Sequence, residues 1–358
     1  MADYLKTFAT QADYDAYIAG NYDKPNVSYI EETDETIFTN YEEEPTADSV
    51  ITGLKIEDWP SSLTTVKGNA NTAPNETVKY LVKEFYIPEG VTTFDTNAFS
   101  GYANLEKITV PSSLTTINEN AFQSTANLKT MNLTDLAAWC DVDINSSGHP
   151  FFCKNGCRLL LNGAELTDLT IPSGVTAIKP YTFSYCSNLT SLTIPSGVTT
   201  VGQSAFANCT SLTSAVLPST LTTIPDRMFD MCSSLATVNF PSTLTSIGSF
   251  AFQDCALTSV TLPEGLTTLV ESFAVCSALT SVDLPSTLTA LRYTVFGRCT
   301  SLTSVTVRAT TPPTIQGNPF IYTPANMVIY VPAESVETYK AASGWSTYAS
   351  QIQAIPTT

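Results

Sequence analysis

The sequence has little of what most enzymes and nucleic-acid-binding proteins depend on. Charged residues are 14% of its 358 residues, and His149 is its single histidine. One imidazole leaves little room for Ser-His-Asp or Cys-His catalysis. Lysine and arginine number 16 against 33 acidic residues, whereas a phosphate-binding surface needs clustered basic side chains. We therefore expect neither an enzyme nor a nucleic-acid-binding protein.

Long apolar segments are missing too. No apolar run reaches the ~18 residues of a membrane helix, so we expect no membrane insertion. Met1 to Leu5 shows neither the basic start nor the apolar stretch of a signal peptide, so an export signal was either removed or never present. The net charge of −17 also disfavours binding to anionic membranes. Residues 1–50 hold 12 acidic and 2 basic residues, which places most of this charge near the N-terminus.

What the sequence has instead is an internal repeat. One unit runs from Asn188 to Thr210 as NLTSLTIPSGVTTVGQSAFANCT. A phenylalanine recurs at its period of 23 residues, with one gap of 61 and one of 21, at Phe99, Phe122, Phe183, Phe206, Phe229, Phe252, Phe273 and Phe296. A proline column follows the same period at Pro88, Pro111, Pro172, Pro195, Pro218, Pro241, Pro263 and Pro285. Two columns with one period indicate a stacked-repeat architecture.

The order of residues inside a unit predicts its local structure. Leu192 and Ile194 alternate with polar residues and so predict a short strand. Pro195 ends this strand because proline has no backbone donor. A second extended piece and a turn or short helical turn that buries Phe206 follow. No unit can bury its own apolar set, so we predict a β-rich repeat solenoid with parallel strands and small α/β caps at both ends.

The repeat frame resembles a known family. Segments such as LPSTLTTIPDRMFDMC (217–232) and FPSTLTSIGSFAFQDC (240–255) are similar to the BspA-like, Treponema-type leucine-rich repeat of bacterial surface proteins. The resemblance covers roughly residues 82–307, and weakly residues 54–66. It implies a leucine-rich-repeat fold and an adhesion or host- and matrix-binding role. It implies no catalytic residues.

The frame also predicts how the chain is divided. We expect an acidic N-terminal module or cap over residues 1–48 and a solenoid over residues 49–310. A C-terminal cap is expected over residues 311–358, because open solenoid ends need polar covers. The 38 extra residues in the long phenylalanine gap predict an insertion at residues 134–165. Its Asn-Gly turns favour a small meander that protrudes from one side of the solenoid.

The two end segments carry their own local signals. A helix is predicted over Thr10–Ala19, and a hairpin over Asn26–Ile30 and Thr36–Tyr41. This module is either a cap for the first rung or a docking element. Near the C-terminus, Met327–Pro332 predicts a strand, and Ala333–Ala342 predicts a helix.

Nine cysteines raise the question of disulfides and metal. Six of them follow the repeat phenylalanine by three residues: Cys186, Cys209, Cys232, Cys255, Cys276 and Cys299. Early rungs hold Tyr102 and Thr125 in the same position, so it does not require a thiol. We interpret the six as small buried apolar side chains that carry free thiols.

The remaining cysteines lie in the insertion with the histidine. Cys140, His149, Cys153 and Cys157 are a possible zinc ligand set by residue type, although their spacing is irregular. A Cys153–Cys157 disulfide and unlinked packing are the alternatives. We predict that the protein needs no metal and no cofactor.

Exposed strand positions are the candidate binding surface. Two outward columns of short polar side chains predict a shallow face that suits an extended protein or glycan partner. The residues we expect to contact this partner are Lys107, Asp168, Ser191, Thr193, Ser214, Asn239, Thr261 and Asp283. We therefore predict a non-catalytic binding or adhesion module of a bacterial surface or secreted protein. A structural or receptor-contacting component of a phage particle is the alternative.

Overall fold

The computed structural model describes residues 64–66, 82–145 and 157–357, and the backbone of three short strands before them. These strands are β1 (Glu31–Glu32), β2 (Glu35–Thr36) and β3 (Leu54–Ile56), of which β1 and β2 form an antiparallel pair. The predicted helix over Thr10–Ala19 and the predicted hairpin arms lie outside the described residues, apart from Thr36. The chain divides into two compact units, residues 1–165 and residues 166–358.

The first unit contains two mainly parallel sheets. Its first sheet contains β5 (Val82–Tyr86) and β7 (Lys107–Val110), which precede repeat prolines, together with β3, β9 (Thr130–Leu133), β11 (Arg158–Leu161) and β12 (Ala164–Glu165). Its second sheet contains β6 (Thr93–Phe94) and β8 (Thr116–Ile117), which follow repeat prolines, together with β4 (Thr65–Val66) and β10 (Asp143–Ile144). Strand neighbours pair one repeat apart, as the predicted stacking requires.

The meander expected for residues 134–165 is wrong for most of that segment. A short helix, α1 (Leu136–Cys140), leads into β10, and β10 and β11 join the two sheets in parallel register. The segment therefore forms one more rung, because Val142, Ile144 and Leu159 bury apolar side chains as a regular rung does. Only β12 turns back antiparallel against β11, after the predicted turn at Asn162–Gly163.

The second unit repeats the same plan. Strands before the prolines are β13 (Asp168–Thr170), β15 (Ser191–Thr193), β17 (Ser214–Val216), β19 (Thr237–Val238), β21 (Ser259–Thr261), β23 (Ser281–Leu284) and β25 (Ser304–Val307). Strands after the prolines are β14 (Ala177–Ile178), β16 (Thr200–Val201), β18 (Thr223–Ile224), β20 (Ser246–Ile247), β22 (Thr268–Val270), β24 (Ala290–Arg292) and β26 (Thr314–Gln316). Every pair within these sheets is parallel, which confirms the predicted repeat solenoid.

Phenylalanine rings form the centre of the second unit. Phe183 and Phe206 stack with centroids 5.4 Å apart and an interplanar angle of 5°. The stack continues rung by rung through the repeat phenylalanines to Phe320, with neighbouring centroids 5.3–5.9 Å apart. Burial of these rings and of the strand leucines removes apolar surface from water, the dominant favourable term in folding. No rung could achieve this alone.

The third side of each rung, which we name the turn side, is neither helix nor sheet. Tyr181 and Tyr185 both have left-handed backbones, with φ of 65° and 61°, a conformation that costs non-glycine residues energy. The N–H groups of Tyr181, Phe183 and Tyr185 donate to carbonyls of the next rung at 3.1, 2.8 and 2.7 Å. Each rung thus satisfies its own turn only when the following rung is present.

The C-terminal segment first adds to the stack of rungs and then caps its end. β26 and Phe320 continue the second sheet and the ring stack beyond residue 310. The predicted boundary at residue 311 is therefore too early, because the consecutive prolines there hide the repeat frame. β27 (Val328–Val331) and helix α2 (Val336–Ala341) confirm the predicted strand and helix.

The remaining elements close the end of the unit. They are 3-10 turns at Ala333–Ser335 and Trp345–Gln351 and a last strand, β28 (Ile352–Ala354), which pairs with β27. Trp345 is fully buried, and its indole N–H donates to the carbonyl of Pro313 at 2.7 Å. The hydroxyl of buried Tyr339 donates to the carbonyl of Ala309 at 2.7 Å. The cap is thus held by buried aromatic side chains.

Candidate functional site

The candidate site in the second unit is the outward surface of its first-sheet strands, which we name the strand face. In β15, Leu192 is buried, whereas Ser191 is half-buried and Thr193 is exposed on the other side of the strand. The period of two puts alternate side chains on opposite faces of a strand. Strand register then aligns equivalent residues: Ser191 lies opposite Asp168 and Ser214, and Thr193 opposite Thr170 and Val216. The predicted columns are therefore present.

Lys107 belongs to the first unit and is considered there alone. It starts β7, lies opposite Glu84 and Thr130, and its ammonium is 3.5 Å from the Glu84 carboxylate. Arg158 lies opposite Thr130 in the same column and forms a bidentate pair with Glu165. Arg158 was not predicted as a site residue, because its segment was expected to protrude rather than to form a rung.

Asp168 begins the strand face of the second unit. Its carboxylate accepts a hydrogen bond from the Ser191 hydroxyl at 2.5 Å and one from the Thr167 hydroxyl at 3.2 Å. These bonds, led by the one from Ser191, lower the pKa of Asp168 below its usual value. The carboxylate is fully exposed and carries a negative charge at neutral pH. Asp168 and Ser191 therefore present one connected polar group.

Asn239 does not point freely to solvent as its column position implied. Its amide nitrogen donates to the carbonyl of Leu217 at 2.9 Å, and its amide oxygen accepts from the Leu217 N–H at 2.6 Å. The side chain therefore makes the pair of bonds that a neighbouring backbone would make. This structural role weakens the prediction that Asn239 contacts a partner.

The C-terminal end of the strand face carries its largest side chains. Arg308, just after β25, donates to both carboxylate oxygens of Asp283 at 2.8 and 2.6 Å. Tyr330 on β27 lies opposite Thr306 and Gln353 and extends the same column. Sequence analysis missed Arg308, Tyr330 and Gln353, because it assigned residues beyond 310 to a separate cap. The register of β27 on β25 is the signal that finds Tyr330.

Threonine hydroxyls along the edges of the sheets are largely occupied. Thr213 donates to the carbonyl of Thr190 at 2.9 Å, and Thr303 donates to that of Thr280 at 2.9 Å. Thr245, after the proline, donates to the carbonyl of Thr222 at 3.2 Å. These threonine side chains therefore join neighbouring rungs through backbone carbonyls.

Comparison with known families decides the class. The model for the "BspA type Leucine rich repeat region" matches six copies, at residues 75–139, 159–273 and 202–326. The chain belongs to this family. The resemblance stated from the repeat frame is thereby confirmed. A search of the curated proteins found no match.

Several solved structures are similar to this BspA-type chain. A leucine-rich repeat protein from Bacteroides ovatus is 19% identical, with a TM-score of 0.48, over 84% of this chain and 76% of that one. The T. pallidum leucine-rich repeat protein is 28% identical, with a TM-score of 0.40, over 45% and 79%. A leucine-rich cell surface protein from Faecalibacterium prausnitzii is 17% identical, with a TM-score of 0.34, over 72% and 91%.

All six repeat cysteines of this BspA-type chain are buried, and Cys209, Cys232, Cys255, Cys276 and Cys299 are free thiols, as predicted. From the second one onward, each thiol donates to the carbonyl of a repeat phenylalanine. Cys209 donates to Phe183 and Cys232 to Phe206, each at 3.1 Å. Burial raises the pKa of these thiols, that of Cys276 to about 12. They are therefore protonated at neutral pH and poor nucleophiles.

The zinc alternative can be followed only in part. Cys140 and Cys157 are buried, whereas His149 and Cys153 lie outside the described residues. Burial, with Asp135 and Asp141 nearby, raises the pKa of Cys140 to about 12. The thiol of Cys140 is therefore protonated at neutral pH when no metal is bound. The alternative Cys153–Cys157 disulfide stays a prediction that the described residues do not test.

Metal-binding clusters and membrane-spanning helices are both absent from the residues that the structure describes. Among residues 64–66, 82–145 and 157–357, no group of three His, Cys, Asp or Glu side chains could hold a metal ion. Within the same residues, no helix is long and apolar enough to span a bilayer. The family and the fold are those of repeat proteins that are generally non-enzymatic.

Proposed function

We propose that this BspA-type protein is a non-catalytic protein-binding module of a bacterial surface or secreted protein, and that the strand face of its second unit is the binding surface. The observation that carries the proposal is the parallel register within each of the two sheets that form that face. In β13, β15, β17 and β21 the middle residue is buried and the residues on either side turn outward. An array of short outward side chains suits an extended protein surface better than a small molecule, since small-molecule sites are usually concave.

Side-chain size along the face indicates where binding is strongest. Serine and threonine occupy most outward positions, and they allow a partner backbone to approach closely. Val216 is 51% exposed in the middle of this polar surface. Tyr330 and the Asp283–Arg308 pair offer a ring and a fixed planar polar group at one end. Interfaces concentrate much of their energy in aromatic and arginine residues, so we expect this end to contribute to affinity together with the surface around β15 and β17.

The charge of the face supports a partner chosen by shape rather than by charge. Asp283 is neutralised by Arg308, which leaves Asp168 as the unpaired acid among the predicted contact residues of the second unit. Electrostatic steering then contributes little. We expect an affinity that changes little with salt, because screening weakens mainly exposed charge pairs.

The location at the cell surface follows the role that the family resemblance implies. The alternative is a structural or receptor-contacting component of a phage particle, which the residues at the start of the sequence and the separate acidic N-terminal module motivated. The acidic N-terminal module, residues 1–48, remains the rival binding element. Its charge would favour a basic partner and a strong salt dependence.

A screen followed by two variants tests the proposal. Immobilised extracellular matrix proteins and a glycan array are probed with the full chain, and any binder is measured again by surface plasmon resonance. The Ser191→Arg, Thr193→Arg, Ser214→Arg triple variant should lose binding, because long charged side chains block the face without entering the core. Deletion of residues 1–48 should leave binding intact. Binding by the triple variant at full affinity, with loss in the deletion, contradicts the proposal. Binding to glycans alone contradicts the protein class of the partner.

A further inference from the structure

Both sheets of the second unit are interrupted at the same rung boundary. β13, β15, β17 and β19 form one sheet, and β21, β23, β25, β27 and β28 form another, so β19 and β21 are not hydrogen-bonded neighbours. After the prolines, β18 pairs with β20 and β22 with β24, whereas β20 and β22 are unpaired. The second-sheet strands also part between β16 and β18, but there β15 and β17 of the first sheet still pair. Within the second unit, backbone pairing is therefore lost on two sides at once at the boundary between β19 and β21.

Phe240 occupies the point where the first sheet parts. The equivalent position holds Ile194 and Leu217 in the preceding rungs, and both are 2% exposed. Phe240 is half-buried, and its ring packs edge-on against Phe252 at 5.4 Å and against Phe273 at 6.4 Å. A ring larger than an aliphatic side chain therefore contacts the repeat phenylalanines of both rungs at this boundary.

The chain on either side of this boundary matches the interruption. Phe252 and Phe273 are 21 residues apart, whereas the neighbouring phenylalanines are 23 apart. From one turn to the next, the chain is therefore two residues shorter at this boundary than between the neighbouring rungs. On the preceding strand, the Asn239 amide bonds Leu217 and so satisfies backbone groups that a longer β19 would bond.

The turn side, in contrast, remains continuous across the boundary. Phe252 N–H donates to Ser272 at 2.9 Å, and Asp254 N–H donates to Ala274 at 3.0 Å. The Cys276 thiol donates to the Phe252 carbonyl at 3.0 Å. The rings of Phe252 and Phe273 stack at 5.3 Å with an interplanar angle of 3°. One of the three sides and the core therefore hold the rungs together.

From these observations we propose that the boundary between β19 and β21 is a hinge. Rotation about the turn side and the phenylalanine stack opens and closes the two sheets, with the Phe240 ring as the wedge. The strand face then consists of two segments that change their mutual angle to fit a protein partner. The hinge stands on the geometry alone, whereas its use in fitting a partner rests on the proposed function.

Spin labels on the free protein test the hinge without any partner. In a Cys153→Ser background, one pair of labels spans the boundary at Thr237→Cys and Ser281→Cys. Two control pairs span the same number of rungs on one side, at Ser191→Cys with Thr237→Cys and at Ser259→Cys with Ser304→Cys. The native repeat cysteines are buried and stay unlabelled. Frozen-solution EPR should give a wider distance distribution for the crossing pair than for either control.

A second variant separates a hinge from a fixed gap. Phe240→Leu restores the aliphatic residue of the neighbouring rungs, and it should narrow the distribution of the crossing pair and shorten its mean distance. A crossing distribution as narrow as the controls, and unchanged by Phe240→Leu, would overturn the hinge. Because no partner is used, a failure of the proposed function leaves this result unaffected.

Discussion

The thiol of Cys232 donates a hydrogen bond to the carbonyl oxygen of Phe206, in the preceding rung, at 3.1 Å. The same relationship links Cys255 to Phe229 at 3.2 Å. The cysteine column is therefore more than small apolar filling, because each of these thiols supplies a donor to a carbonyl inside the core. In an early rung, Thr125 occupies the same position, but its hydroxyl donates to the carbonyl of Phe122 in its own rung at 2.7 Å. The position therefore accepts a hydroxyl donor.

Two isosteric replacements of Cys232 test this role. Cys232→Thr keeps a donor near the Phe206 carbonyl. Cys232→Val has the same shape as the threonine variant but no donor. We expect the threonine variant to be the more stable by about 1 kcal/mol, the usual net value of one hydrogen bond. Urea unfolding of both variants measures the difference. A valine variant of equal or greater stability would show that the position requires only apolar volume.

The thiols of the repeat cysteines and of Cys140 should not react in the folded protein. Burial raises the pKa of Cys276 to about 12 and that of Cys140 to about 12. Raising the pH to 9 should therefore leave these thiols unreactive toward a disulfide reagent, because the thiolate is the reactive form. Denaturation should expose all six repeat thiols. Inter-rung disulfides in mass spectra of the native protein would contradict this expectation.

Glu264 links two rungs and should make stability depend on pH. Its carboxylate accepts from the Ser286 N–H at 3.1 Å, the Ser286 hydroxyl at 2.9 Å and the Thr287 N–H at 3.3 Å. The bond from the Ser286 backbone is the main cause of a pKa below the usual 4.5. Stabilisation from a lowered carboxylate pKa is present above the unfolded value and is lost as the pH falls through the folded value.

Glu264→Gln should therefore be less stable than the parent at pH 7 and similar to it at pH 3. The carboxylate is exposed, so solvent screening keeps the difference at pH 7 to about 0.5 kcal/mol. Unfolding at the two pH values measures it. Glu334→Gln changes an exposed glutamate of the C-terminal 3-10 turn and is the matched control. Its free energy of unfolding should equal that of the parent at both pH values. Equal loss of stability at pH 3 and pH 7 would contradict the ionic origin of the effect.

Replacement by alanine should destabilise the protein at one glycine and be tolerated at another. A Cβ on Gly248 would lie 2.4 Å from the backbone nitrogen of Asp226, and both belong to stacked rungs. Gly248→Ala should therefore destabilise the protein by about 1–3 kcal/mol or more, as overpacking does. A Cβ on Gly197 would meet its nearest atom at an ordinary 3.6 Å, so Gly197→Ala should be tolerated. Thermal unfolding of both variants compares them, and similar midpoints would contradict the rung spacing.

The rungs were predictable because the repeat itself carries the information. Phe206 and Pro195 recur with one period, and the alternation at Leu192 and Ile194 gives the strand and its buried side. What recurs every 23 residues in sequence must lie in register when the units stack, so the outward columns followed as well. The expected thiol burial has the same origin.

Features that break the period could not be read in this way. Arg158 and Tyr330 join the columns only through strand pairing across irregular segments, and neither shares the repeat frame. The turn side depends on left-handed residues such as Arg227 and Met231, whose side chains give no hint of that backbone. Phe240 places an aromatic ring where the preceding rungs have an aliphatic side chain. Its effect depends on the shorter spacing that follows.

The most direct test of the account compares two matched sets of arginines in their effect on partner affinity. One set is Ser191→Arg, Thr193→Arg and Ser214→Arg on the strand face. The other is Thr200→Arg, Thr223→Arg and Ser246→Arg at exposed positions of the second-sheet strands. Surface plasmon resonance against the partner found by the screen gives both affinities. The account predicts loss of binding for the first set and parental affinity for the second. Equal affinities for the two sets, or loss only for the second, would contradict it.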